Sequence, residues 1–255
     1  MLSKNKIKLI NSLEKKKFRD SLNLFLAEGE KIGKDILNSS YEIVSIAGTD
    51  DWFSRNKTKS FDCELIVTEK EELKKISFLK TTPEVIFLLK KKDTVVLPEN
   101  VKEKLTIVLD DIQDPGNLGT IIRLADWFGI ENVICSPNSV DVYNPKVIQA
   151  TMGAFCRVNV SYTPVADFLK ECRTFENFEI YGTYLEGENI FQATLFPKGI
   201  IVMGNEGNGI SEETGKFIGT KLNIPSFPPE RPTSESLNIS IATSIVCAEF
   251  RRRSF

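Results

Sequence analysis

The 255-residue sequence predicts an α/β protein in two parts, a small α/β domain followed by a larger one built on a parallel sheet. Three observations predict it. From residue 105 onward, short apolar runs alternate with helix-period segments, the pattern of a parallel sheet covered on both faces. Residues 90–104 (KKKDTVVLPENVKEK) are charged and carry Pro98, as a linker does. Charge also divides there: residues 1–105 hold 21 Lys and Arg against 17 Asp and Glu, whereas residues 106–255 hold 12 against 18. The domains are read as 1–95, a linker over 96–104, and 105–255.

In the first part, Ile7, Ile10, Leu13 and Phe18 recur at near-helical spacing, so one amphipathic helix is expected over 4–18. A short apolar run at 25–27 precedes a helix over 30–37. Strands are expected at 41–47, 65–67 and 85–89, with a helix over 69–79. In the second part the expected strands are 105–109, 132–135, 157–160, 180–184, 199–203 and 221–224. Helices are expected over 121–128, from about 147, around 168–169, over 211–218 and over 237–252. Ligands of such sheets sit at the carboxyl ends of the strands.

Composition narrows the chemistry. Hydrophobic residues make up 41% and charged residues 27%, a globular balance that disfavours disorder or a disulfide scaffold. The chain has no histidine, which excludes Ser-His-Asp and Cys-His catalysis and the commonest zinc ligand sets. Its five cysteines contain no CxxC pair and read as buried, reduced thiols. The first residues are too charged for a signal peptide and no apolar run reaches the ~20 residues that span a bilayer. A cytoplasmic protein without membrane contact is expected. Seven of the first nineteen residues are basic, and Lys15, Lys16, Lys17 and Arg19 stand out as phosphate-neutralising candidates. A solvated helix face would have the same composition. Lys90, Lys91 and Lys92 form a second basic cluster.

Three strand ends lead into unusual loops. The first, DDIQDPGNLGT at 110–120, brings Asn117 and, in the following helix, Arg123 toward one cleft; Asn117 as a helix cap is the plainer alternative. The second, Met203-Gly204-Asn205-Glu206-Gly207-Asn208-Gly209, lets backbone approach a ligand closely. Its GxxGxG order is neither the Rossmann nor the Walker pattern, and Glu206 disfavours bound phosphate. The third runs from Ile224 through four prolines to Glu235-Ser236-Leu237-Asn238, with Ser234 or Ser236 as a plain N-cap alternative.

In order and spacing, these three loops resemble the three motifs of the SpoU (TrmH-like) RNA 2′-O-ribose methyltransferases of the SPOUT superfamily. DVYNPKVIQATMGA at 141–154 resembles the segment between the first two motifs, and FLAEGEKIGKDIL at 25–37 resembles a ribosomal-protein-like substrate-binding domain. The resemblance implies a SPOUT-type parallel sheet with a C-terminal trefoil knot, preceded by a small RNA-binding domain, and a homodimer with its active site at the subunit interface. It implies S-adenosylmethionine as cofactor, no metal, and RNA as substrate, rRNA ahead of tRNA. It assigns Arg123, Asn117, Glu206, Ser236 and Asn238 to catalysis, and Gly204, Ile224 and Leu237, with their loop neighbours Met203 and Gly209, to the cofactor. About four extra residues, rich in proline, separate Ile224-Pro225 from Glu235-Ser236 in this chain. A nicotinamide-dependent oxidoreductase and a non-catalytic RNA-binding or assembly protein are the rival readings.

Overall fold

A computed structural model describes residues 2–56, 62–228 and 236–253. The chain divides into two compact units, one of residues 1–93 with 141–157 and one of 94–140 with 158–255. The chain therefore passes between the units three times.

The first unit opens with two helices, α1 (Lys4–Ser12) and α2 (Lys16–Leu22), where the periodicity predicts one. The break follows Ser12, whose hydroxyl bonds back to the Leu9 carbonyl, and leaves Leu13 fully buried. Then come β1 (Leu24–Glu28), α3 (Glu30–Leu37), β2 (Ile43–Gly48), α4 (Asp50–Arg55), β3 (Glu64–Val67), α5 (Lys70–Lys74) and β4 (Val85–Lys90). The sheet order is β1-β4-β2-β3, with β4 antiparallel to both neighbours. α4 was missed by the sequence reading although Thr49 caps it and Asp50 and Asp51 fill its first turn. Leu26, Ala47, Ile86 and Leu88 on one sheet face pack with Ile10, Leu13, Leu73 and Ile76. Alternation along β1 turns Phe25 to the other face, where its ring packs tilted against Tyr143 and edge-to-face against Phe155 of the 141–157 segment.

Arg19 is 2% exposed, and all its bonds are internal. Its Nε and Nη2 donate to Asp141 Oδ2 at 2.9 and 2.7 Å, and its Nη1 to the carbonyls of Leu13 and Glu14. The expectation that Arg19 meets RNA is therefore corrected: it ties the α1–α2 corner to residue 141. The 90–92 cluster is likewise engaged. Lys90 pairs with Glu42, Lys91 with Asp20, and Lys92 bonds Ser40 and lies over the Tyr41 ring.

The second unit holds β5 (Leu105–Leu109), α6 (Pro115–Trp127), β6 (Asn132–Cys135), β7 (Asn159–Tyr162), α8 (Val165–Cys172), β8 (Ile180–Asn189), β9 (Gly199–Met203), α9 (Glu212–Gly215), β10 (Thr220–Asn223) and α10 (Ile239–Arg252); α7 (Pro145–Thr151) belongs to the first unit. Its six strands are all parallel, in the order β10-β8-β9-β5-β6-β7. Val108, Ile134, Ile180, Ile200 and Val202 form one face and pack against Val165, Phe168, Leu169 and Cys172 of α8. Between β5 and β9 the chain order reverses, so the loops after β5 and β9 open side by side at the switch point. Residues 229–235, which include Ser234, Glu235 and most of the extra proline-rich stretch, lie outside the described residues.

Candidate active site at the ends of β5, β9 and β10

The first loop turns at Asp111, which adopts a left-handed backbone (φ 62°). Asp114 then caps α6 by accepting the Asn117 N–H at 2.8 Å, so α6 begins at Pro115, six residues earlier than the pattern predicts. This frees the Asn117 side chain from capping. The second loop is closed by paired bonds between the backbones of Asn205 and Gly209, and the Asn205 side chain accepts from Gly207 N–H and Asn208 N–H. A Cβ on Gly204 would lie 2.2 Å from the Gly209 carbonyl carbon, so only glycine allows the loop to fold back this tightly.

Two contacts stitch these loops together. Asn205 Nδ2 donates to the Asp111 carbonyl at 2.7 Å, and Ser211 N–H donates to the buried Asp110 carboxylate at 2.9 Å. Sequence reasoning gave neither Asp110 nor Asn205 a role; an acid directly after an apolar strand is the signal that could have found the first.

The third loop joins through Asn238, the true N-cap of α10 in place of Ser234 or Ser236. Its Oδ1 accepts from Ser240 N–H at 3.0 Å, from Ile241 N–H and from the Ser240 hydroxyl. Its Nδ2 must then point outward, and it donates to Asn117 Oδ1 at 3.0 Å. Asn117 Nδ2 in turn donates to Glu206 Oε1 at 2.7 Å. Helix capping thus sets the direction of a three-residue relay ending on an acceptor carboxylate. Glu206 is exposed, and among the described residues only Asn117 bonds its carboxylate.

The other candidates fall into four sets. Met203 is buried, Gly204 and Ile224 are half-buried, and Gly209 lies at the loop's closure with φ 69°. Ser236 and Leu237 are exposed beside Asn238. Arg123 is not joined to the relay: on α6 it lies six residues from Asn117, about 9 Å along the axis and about 120° around it. It is exposed, with no hydrogen bond or ion pair among the described residues. Lys15, Lys16 and Lys17 are exposed on the first unit beside Phe18 and Leu22. Burial pushes the Tyr184 hydroxyl up, with the Asp110 charge adding, which takes it further from use as a base. No cluster of His, Cys, Asp or Glu suited to a metal occurs among the described residues. A cavity of the first unit, about 420 Å³, is lined by Asp50, Asp51, Glu69 and Lys70 with Thr49, Val67 and Thr68, an acidic lining poorly suited to phosphate.

Comparison with known proteins finds two family matches along the chain. Residues 104–248 match the SpoU rRNA Methylase family, and residues 4–87 match the MRM3-like substrate binding domain. The Bacillus subtilis 23S rRNA (guanosine(2553)-2′-O)-methyltransferase RlmP is 27% identical over 96% of each chain. The Neisseria meningitidis 23S rRNA (guanosine-2′-O-)-methyltransferase RlmB is 33% identical over 61% of each. Among solved structures, a TrmH-family chain from Porphyromonas gingivalis superposes with a TM-score of 0.86 at 37% identity, covering 99% of both chains. An AdoMet-bound rRNA methyltransferase from Sinorhizobium meliloti gives 0.87 at 25% identity, covering 100% of this chain and 97% of that one. With more than half its length matched and its motif loops meeting at one sheet edge, this chain belongs to the SpoU rRNA methylase family.

Proposed function

We propose that this protein methylates a ribose 2′-hydroxyl of 23S rRNA with S-adenosylmethionine. The observation that carries the reading is the Asn238–Asn117–Glu206 relay, which joins all three motif loops at the sheet's switch point. The residues present fit the cofactor. Glu206 suits a cationic, hydroxyl-bearing ligand better than a phosphate, and Gly209, with open space where a side chain would stand, lets a ligand approach the closed loop. Met203, Gly204, Gly209, Ile224 and Leu237 would hold it, and when bound it supplies an electrophilic methyl group.

The chain's own residues position the nucleophile and handle its proton. Glu206 Oε2 is left open by the relay, so it can accept a ribose hydroxyl while Asn117 holds Oε1. Ser236 and Asn238 border the same space. Arg123 holds the 2′-oxygen or an adjacent phosphate and takes part in removing the 2′-proton. A guanidinium is almost never neutral, so an RNA phosphate serves as the relay partner that receives the proton. Because Arg123 stands apart from the relay of its own chain, the complete site is a homodimer's: Arg123 of the partner subunit completes it. Lys15, Lys16 and Lys17 contribute RNA affinity, and a C-terminal knot belongs to the same reading.

The test is transfer of labelled methyl to total RNA or ribosomal particles, followed by alkaline hydrolysis. An alkali-resistant labelled dinucleotide in 23S-sized RNA is expected; label in tRNA, on a base, or nowhere overturns the reading at that level. Arg123→Ala should lower kcat at least a hundredfold, about 2.7 kcal/mol, with cofactor affinity nearly unchanged. Mixing the inactive Arg123→Ala and Glu206→Ala proteins should restore about a quarter of wild-type activity, since half the dimers are mixed and each carries one intact site. No recovery after subunit exchange would place Arg123 in the site of its own chain.

A further inference from the structure

α6 and α10 are held together at both ends. At their amino ends Asn238 bonds Asn117 at 3.0 Å. At their carboxyl ends, Arg251 in the last turn of α10 reaches the end of α6: its Nε donates to the Phe128 carbonyl at 2.7 Å and its Nη2 to the Gly129 carbonyl at 3.1 Å. Like ends meet, so the two helices run parallel, and their dipoles put two negative ends side by side. One guanidinium lies at both, and its planar fork bonds two carbonyls just past the end of α6, those of the C-cap Phe128 and of Gly129.

Axial register is what this arrangement controls. One residue of slip along a helix is about 1.5 Å, enough to break a 3.0 Å hydrogen bond. The buried residues of the two helices include small or branched side chains, Gly119, Ile122 and Ala125 on α6 and Ser240, Thr243 and Cys247 on α10. Apolar packing of that kind is non-directional. Directional restraints come from the amide pair at one end and from Arg251 at the other. The neighbouring arginines act elsewhere, since Arg252 pairs with Glu249, and Arg253 bonds Glu249 and the carbonyls of Ile190 and Ala193.

We infer that Arg251 is a positioning residue for methyl transfer: by anchoring the end of α10 to the end of α6, it sets the register in which Asn238 and Asn117 orient Glu206. The inference rests on the methyltransferase reading above. In single-turnover transfer, Arg251→Ala should lower the rate about tenfold while KM for RNA and for S-adenosylmethionine stays within twofold. Arg251→Lys, which keeps the charge and can bond one carbonyl, should recover part of the loss. Arg252→Ala, a charge removed from the same turn without contact to α6, should transfer at the wild-type rate. In an Asn117→Ala background, adding Arg251→Ala should cost less than a further twofold, because the relay it serves is already cut. The side-chain amide signals of Asn117 and Asn238 should shift in Arg251→Ala, or in Arg251→Lys if the alanine variant does not fold, and stay in place in Arg252→Ala. Unmoved amide signals, an equal loss in Arg252→Ala, or the full tenfold loss retained without Asn117 would overturn the inference. A wild-type protein that methylates no RNA would overturn the functional reading as well, whereas an active wild type with an unaffected Arg251→Ala would overturn the inference alone.

Discussion

Gly204 and Gly207 stand three residues apart in one loop and have opposite tolerance for a side chain. A Cβ on Gly204 would press into the Gly209–Ile210 peptide at 2.2 and 2.3 Å, whereas one on Gly207 would meet only Asn205 Oδ1 at 3.5 Å. Gly204→Ala should therefore push the loop open, cost about 1–3 kcal/mol and weaken S-adenosylmethionine binding at least tenfold, measured by calorimetry. Gly207→Ala should bind within twofold of wild type. The thiols can be sorted in the same way. Burial drives Cys135, Cys172 and Cys247 up to about 12 and the half-buried Cys156 to about 11, and it also raises the half-buried Cys63. A thiol reagent at pH 8 should modify no more than Cys63 and Cys156 in the native protein and all five after denaturation.

At the scale of elements, the most consequential contact is the one between α2 and residue 141. The Arg19–Asp141 pair is nearly dry, at 2% and 8% side-chain exposure, so removing one partner leaves the other charged and unpaired. Asp141→Ala should destabilise the first unit by about 3–5 kcal/mol in urea unfolding, against less than about 1 kcal/mol for breaking the exposed Lys104–Glu131 pair. Lys15 at the N-cap of α2 and Lys16 and Lys17 in its first turn have no ion pair among the described residues. Replacing Lys15, Lys16 and Lys17 with Gln should weaken RNA binding and flatten the dependence of log K on log salt by up to about three phosphate contacts. An unchanged slope would remove α2 from the RNA surface.

Across the molecule, the carboxyl end of the chain is fastened by charge. Glu249 is 5% exposed and is held by hydrogen bonds from Arg252 and Arg253, which bring its carboxyl down from 4.5 to about 2. Because the folded value is the lower one, this contact stabilises fully above about pH 4.5 and is lost as pH falls toward 2. Glu249→Gln should lower the urea midpoint at pH 7, and the difference from wild type should shrink steadily between pH 4.5 and 2. A gap that persisted at pH 2 would mean that Glu249 stabilises by packing instead.

The period of the apolar residues was enough to place β5, β6 and β9 and the core of each large helix, because a buried parallel strand reads as a continuous apolar run. The three loops stood out by their order and spacing, which resemble the family's motifs, although each taken alone also reads as a turn or a helix cap. What the sequence left open depended on partners distant in the chain. The charge of Arg19 looks like that of Lys17 until Asp141, 122 residues on, is seen to neutralise it. The start of α6 depended on whether Asp114 or Asn117 served as cap, and both side chains are competent. Strand order, and with it the meeting of loops that begin at residues 110, 204 and 224, is a matter of tertiary packing. So is the relay, because an amide carries no preferred orientation until its surroundings give it a donor on one side and an acceptor on the other.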